Sequence, residues 1–296
     1  MEKLKVIFDT DMGSDCDDAG ALSLLHHLAD EGKVDILATT HCASEIGGSV
    51  TIKVMNEWYK RPDIPIGRYD TRTFLEREDC KVYTREIMEG YLKNHRMPGF
   101  ENSVRVMRRI LSENTDVILI VVGMLNNVAD LLRSMPDDIS SMNGVELVKN
   151  SVREMYSMGG HFTDPTYAEY NIKSDIENAK YIAENFPRPI TYCGFELGEN
   201  LYTGSQLADA GEDNPVRIAY YNMLAKSESK LRNSWDPITT YCAIEQDSNL
   251  YEKRGGLTIS FDDEGRAVVE EGGKDAYMVA AVEEDEIKEV IDKLIW

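Results

Sequence analysis

Short unbroken apolar runs alternate along the chain with segments whose apolar positions recur every three or four residues. Val6-Ile7-Phe8 and Val117-Ile118-Leu119-Ile120-Val121-Val122 carry no polar alternation, the pattern of strands buried on both faces. Val34 to Thr40, Val152 to Met158 and Pro189 to Cys193 read as further strands. Between them Ala21, Leu22, Leu24, Leu25 and Leu28 fall at helical spacing, and 47–59, 104–111, 127–134 and 174–185 read as helices. Ser174 with Glu177 matches a capping box and predicts a helix start there. Further on, 215–226 and 236–244 look helical, 257–269 reads as a hairpin around Asp263-Glu264-Gly265, and 284–295 as a terminal amphipathic helix.

Strand and helix thus alternate over most of the chain. The pattern predicts an α/β fold: a mainly parallel open sheet covered by helices on both faces, followed by a small C-terminal hairpin and a terminal helix. No internal repeat, low-complexity tract or linker divides it, so one domain over 1–296 is expected. In such sheets ligands bind beyond the carboxyl ends of the strands. The segments after Phe8, Val122 and Met158 therefore carry the most interest.

Composition narrows the partners. With 53 acidic residues against 32 basic ones the net charge is -21, which lacks the positive charge that nucleic acid or an anionic membrane requires. A small-molecule ligand fits better. The opening run Met1 to Phe8 has no long apolar core, so no signal peptide is expected, and no segment is apolar enough to span a bilayer. Five scattered cysteines without CxxC spacing suit reduced thiols in a cytoplasm.

The chemistry-bearing feature follows the first strand. Asp9, Asp11, Asp15, Asp17 and Asp18 crowd into ten residues, and such crowding needs protons or a cation to relieve it. Oxygen donors with no nearby His or Cys ligand favour calcium or magnesium over zinc. Asp17 and Asp18 also suit a helix first turn, but capping alone leaves Asp9 and Asp11 unexplained. An EF-hand loop counted from Asp9 fails, because its sixth and twelfth positions hold Ser14 and Gly20. Asp9-Thr10-Asp11 also resembles the first motif of the haloacid-dehalogenase phosphotransferases, although Gly13 stands where Thr or Val is expected.

A second resemblance reaches further. Phe8 to Leu22, reading FDTDMGSDCDDAGAL, resembles the opening motif of the inosine–uridine-preferring nucleoside hydrolase family, with Met12 for the usual proline and two extra residues before the Asp-Asp pair. Gly123-Met124-Leu125-Asn126-Asn127-Val128-Ala129, then Met158-Gly159-Gly160 with Ala168-Glu169-Tyr170-Asn171, then Trp235-Asp236-Pro237, resemble three more family segments in family order. The resemblance implies calcium-dependent hydrolysis of the N-glycosidic bond of ribonucleosides. It implies Ca²⁺ ligands at Asp11, Asp18, the Asn126 carbonyl and Asp236, with Asp11 as general base for a water held at the ion. It places Asp17 (or Asp15, given the insertion), Glu169 and Asn171 on the sugar, and implies a homo-oligomer, dimer or tetramer.

Departures from the pattern bear on the substrate. Trp235 stands where a proton-donating histidine is common, which resembles the purine-specific branch, where an aromatic ring stacks on the base; a merely buried aromatic is the plain alternative. Tyr69 and Tyr83 are candidates for a second stacking face. Ser44 and Thr163 occupy sugar-binding positions where the family has Asn, so another ribosyl glycoside is a second reading. His41 and His161 lie near these segments as substitute donors, though structural roles suit them better. A nucleoside-binding protein without turnover and a Mg²⁺-dependent phosphohydrolase complete the alternatives.

Overall fold

The computed structural model describes residues 3–296; Met1 and Glu2, at the head of the opening run, lie outside them. The first half runs β1 (Leu4–Thr10), α1 (Asp17–Asp30), β2 (Val34–His41), α2 (Ile46–Trp58), β3 (Ile66–Arg68), α3 (Thr84–Leu92), β4 (Glu101–Asn102) and α4 (Ser103–Glu113). Then come β5 (Val117–Val121), α5 (Asn126–Arg133), α6 (Gly144–Ser151), β6 (Val152–Met158), α7 (Tyr170–Ser174), α8 (Ile176–Asn185) and β7 (Ile190–Cys193). The chain ends with β8 (Tyr202–Thr203), α9 (Pro215–Met223), β9 (Arg232–Asn233), α10 (Trp235–Ile244), β10 (Tyr251–Phe261), β11 (Ala267–Ala280) and α11 (Glu284–Asp292).

Nine strands form one sheet in the order β10-β11-β7-β6-β5-β1-β2-β3-β4. Every neighbouring pair is parallel except β10 with β11. The mainly parallel sheet is as the apolar runs predict. Alternate residues of the central strands feed two apolar layers. Val6, Phe8, Ile118 and Ile120 pack with α1, α9 and α10, whereas Ile7, Val117, Leu119 and Val121 pack with α4, α5, α6 and α8. Burying one such side chain contributes about 1.5–3 kcal/mol, which is why Val6-Ile7-Phe8 of β1 and the whole of β5 are unbroken apolar runs.

The sheet reverses its winding at β1, which has β2 on one side and β5 on the other. A crevice forms beyond the strand ends at such a switch point. The acid cluster lies there.

Local differences have local causes. The capping box predicted at Ser174 is absent: Ser174 ends α7, and α8 starts after Asp175 with no side-chain cap. The hairpin is longer than predicted, because exposed Glu252 to Gly256 hide its first strand from any apolar pattern. Among the described residues no helix is long and apolar enough to cross a membrane.

Candidate active site

Residues from several strand ends line a cavity of about 320 Å³. Asp11 follows β1, Asp17 and Asp18 open α1, and Asp236 lies in the first turn of α10. Glu169 and Asn171 reach it from the start of α7, and Trp235 from α10. Asp15, Arg77, Tyr170, Phe195 and Arg232 join them.

Sequence dictates the loop that presents the acids. Gly13 has φ of 121°, and a Cβ there would lie 2.6 Å from the Cys80 carbonyl, so only glycine lets the chain turn. The Ser14 hydroxyl donates to Asp11, and the Thr10 hydroxyl donates to Asp18. Asp15 does not join the other acids; both its oxygens face Arg232, with Nε at 2.9 and 3.0 Å. The Asp17 carboxylate accepts the Asp236 backbone N–H at 3.2 Å, which brings α1 and α10 together at their N-termini.

The resulting cluster is electrostatically costly. Oxygens of Asp17, Asp18 and Asp236 lie within 4.8 Å of one another, all buried. None of the ion pairs among the described residues involves them. Burial first, and then the neighbouring carboxylates, push all three far above the usual carboxylate range. Burial raises Asp11 to about 6 despite the Ser14 hydrogen bond. Three buried carboxylates whose charges oppose one another are the hard-oxygen donor set of a divalent cation. The residues fit a metal ion of that class.

Glu169 is 2% exposed, so it is not part of a solvated loop. Its carboxylate caps α7 by accepting from the N–H groups of Asn171, Ile172 and Gly160. Burial nevertheless raises it to about 7. The Asn171 amide donates to the Val122 carbonyl at 2.9 Å, which joins α7 to the end of β5.

Other expected residues take different places. The Asn126 side chain is buried at the start of α5 and donates to the Cys42 carbonyl, while its Oδ1 has no partner. Ser44 does not line the cavity; its hydroxyl is engaged by the Phe74 backbone and Glu76. Thr163 is exposed and also lies outside it. Tyr69 and Tyr83 are buried away from the cavity lining, and the Tyr83 hydroxyl donates to the Asp15 carbonyl. His41 is fully buried between Ser49 and the Met12 carbonyl, and burial lowers it to about 3. His161 packs on Phe195 with ring centroids 5.8 Å apart.

The aromatic wall is instead Trp235 with Phe195, stacked at 5.1 Å, and the Trp235 indole N–H donates to the Phe195 carbonyl at 2.8 Å. Phe195 lies just beyond β7, where the rule about strand ends would have found it. Arg77 and Arg232 carry no spacing signal in the sequence, and Tyr170 stands there only as part of the Ala168 to Asn171 segment.

An open, mainly parallel sheet with buried acids and an aromatic wall at its switch point is the arrangement of an α/β enzyme that takes a small ligand beyond its strand ends. Residues 6–289 match the profile described as inosine-uridine preferring nucleoside hydrolase, and the chain belongs to that family. Its fold is similar to an inosine-uridine preferring nucleoside hydrolase from Bacillus anthracis (16% identity, 98% of each chain covered, TM-score 0.73). It is also similar to a plant nucleoside hydrolase (18%, 99% of each chain, 0.75) and to a purine-preferring ribonucleoside hydrolase from Gardnerella vaginalis (14%, 98% of each chain, 0.71). Compared by sequence with curated proteins, the chain matches none.

Proposed function

We propose that the protein hydrolyses the N-glycosidic bond of ribonucleosides, purine nucleosides foremost, with calcium as its metal ion. The observation that carries this reading is the cluster of Asp17, Asp18 and Asp236, beside Asp11 in a cavity walled by Trp235 and Phe195. Asp11, Asp18, Asp236 and the Asn126 carbonyl would hold the ion, which supplies the charge that orients and acidifies a water. Asp11 then takes one proton from the water as its oxygen bonds the anomeric carbon. The carbon–nitrogen bond breaks with its electron pair passing to the base, which gains a proton from solvent. Asp11 returns its proton to solvent, so nucleoside and water give ribose and free base.

The remaining roles follow from placement. Asp17 grips ribose hydroxyls beside the ion, Glu169 and Asn171 hold the far side of the sugar, and the carboxylates favour the positive sugar as it forms. Trp235 offers its ring to a purine. The five cysteines are all unpaired, which suits a cytoplasmic setting, and a part in purine salvage goes with the nucleoside reading. A homo-oligomer accompanies the family reading.

The test is release of free base from inosine, guanosine, adenosine and uridine by purified protein with Ca²⁺. Faster release from the purines is expected; release from none would sink the reading. A second reading, another ribosyl glycoside, draws on Ser44 and Thr163 standing outside the cavity, since the sugar then lacks two of its expected contacts. A glycoside screen with a substrate better than any nucleoside would favour it.

A further inference from the structure

Asp15, in the lengthened acid loop, pairs with Arg232, and both line the cavity, with Arg232 beside Trp235. Arg232, on the short strand β9, lines the cavity with its guanidinium carbon 5.2 Å from the Trp235 ring centroid. The Asp15 carboxylate binds the Nε and Nη2 edge of that guanidinium, and Asn233 Oδ1 accepts from Nη1 at 3.2 Å. A guanidinium has five N–H donors in a fixed plane. With Nε, one Nη2 and one Nη1 proton engaged, one N–H remains on each terminal nitrogen. Two adjacent donors on a plane fixed by Asp15 and Trp235 match a flat ligand that presents two acceptors side by side.

We propose that Arg232 is the residue that selects the leaving base, and that it selects 6-oxopurines over 6-aminopurines. The inference rests on the nucleoside reading above. The O6 and N7 atoms of hypoxanthine or guanine accept an arginine fork along one edge. Adenine presents N7 beside an amino donor, which opposes the second N–H of the fork. The same contact serves bond breaking. As the electron pair of the C1′–N bond passes to the base, negative charge spreads to N7 and O6, where the guanidinium meets it; the base then takes its proton from solvent, because arginine gives none up. Trp235 cannot donate such a proton, and the positive charge next to it stabilises the departing base without giving one up. Asp15 acts through Arg232 and is a positioning residue.

The experiment measures kcat/KM for inosine and adenosine with the intact protein and Ca²⁺, in the wild type and in Arg232→Gln, Arg232→Lys and Asp15→Asn. Wild type is expected to prefer inosine by about 10–100-fold, the discrimination of one bidentate contact. Arg232→Gln should lower that ratio to within about threefold of one, through loss of inosine turnover. Arg232→Lys should keep the charge but lose most of the preference, and Asp15→Asn should fall between. A purely structural ion pair predicts equal losses on both substrates with the ratio unchanged, and that result overturns the proposal. So does a wild type without preference, which leaves the nucleoside reading standing. A wild type that cleaves neither substrate removes both. If Arg232→Gln fails to fold by circular dichroism, the ratio in Asp15→Asn decides alone, and an unchanged ratio there overturns the proposal.

Discussion

The carboxylate of Asp17 accepts the backbone N–H of Asp236 at 3.2 Å, joining the N-termini of two helices that lie 219 positions apart in the chain. Both termini present their positive ends to the acids, which offsets part of the repulsion. The offset is incomplete, since all three clustered carboxylates are still pushed far up.

Asp236→Asn should therefore have opposite effects on stability and activity. Removing one crowded, buried carboxyl group should raise the melting temperature of the chelated protein. It should also abolish most of the rise that Ca²⁺ produces, and lower inosine turnover by about 10³-fold. Scanning calorimetry with and without chelator, beside a base-release assay, reads all three. A variant that is activated by Ca²⁺ as the parent is would count against Asp236 as a ligand.

The buried acids also set a pH dependence. Burial raises Asp9 to about 7, and Glu169 likewise to about 7, from ordinary values of 3.8 and 4.5. The folded protein holds protons there that the unfolded chain releases. Their contribution is complete below about pH 4 and is lost as pH rises through about 7. Asp137, lowered to about 2 by its Arg108 hydrogen bond, has the opposite sign, but its stabilisation is lost only below about pH 4. Buried His26 and His41, both lowered to about 3, cost stability only as pH falls below their ordinary 6.5, so the chelated protein should melt at a lower temperature at pH 8 than at pH 6.5. On the calcium reading the ion would replace protons at the cluster, so its stabilisation should be larger at pH 8. A Ca²⁺ shift that shrinks with rising pH would oppose this account.

Gly123 closes β5 against the acid loop. A Cβ there would lie 2.8 Å from both the backbone nitrogen and Oδ1 of Asp11, and 2.7 Å from Cys42 Sγ. Gly123→Ala should displace Asp11 and lower kcat by about 100-fold, since small misplacements of a reacting group cost that much. The fold should survive with a loss of about 1–3 kcal/mol. Denaturant unfolding and steady-state kinetics separate the two effects; a variant with wild-type kcat would show that Asp11 tolerates the shift.

How far the sequence reveals this arrangement depends on the range of the interactions. The Val6-Ile7-Phe8 run of β1 and the whole of β5 are legible because apolar layers cover both their faces. β3 and β4, of three and two residues, are too short to leave a period. The acids announce themselves by crowding, and Asp236 through its resemblance to a family segment. The Asp15–Arg232 pair spans 217 positions through a two-residue strand, so no local pattern carries it. Ser44 and Thr163 were placed by analogy with asparagines, and the loops that hold them turn both away from the cavity.

Trp235 makes the last prediction. Its indole N–H donates to the Phe195 carbonyl and its ring stacks on Phe195, and Gly198 packs so close that an added Cβ would lie 2.5 Å from its Cδ1, so the ring plane is held. A fixed ring favours a flat base over a mobile one, because the ordering cost is met during folding. A purine offers two fused rings to that surface and a pyrimidine one. Trp235→Ala should lower kcat/KM for inosine by about 5–12-fold and for uridine by markedly less, the loss expected when an aromatic stacking contact of about 1–1.5 kcal/mol is removed. Trp235→Phe keeps a ring but loses the indole hydrogen bond, and should fall between the two. Equal losses on inosine and uridine would mean that Trp235 only supports the wall, and that purine preference has its origin elsewhere in the cavity.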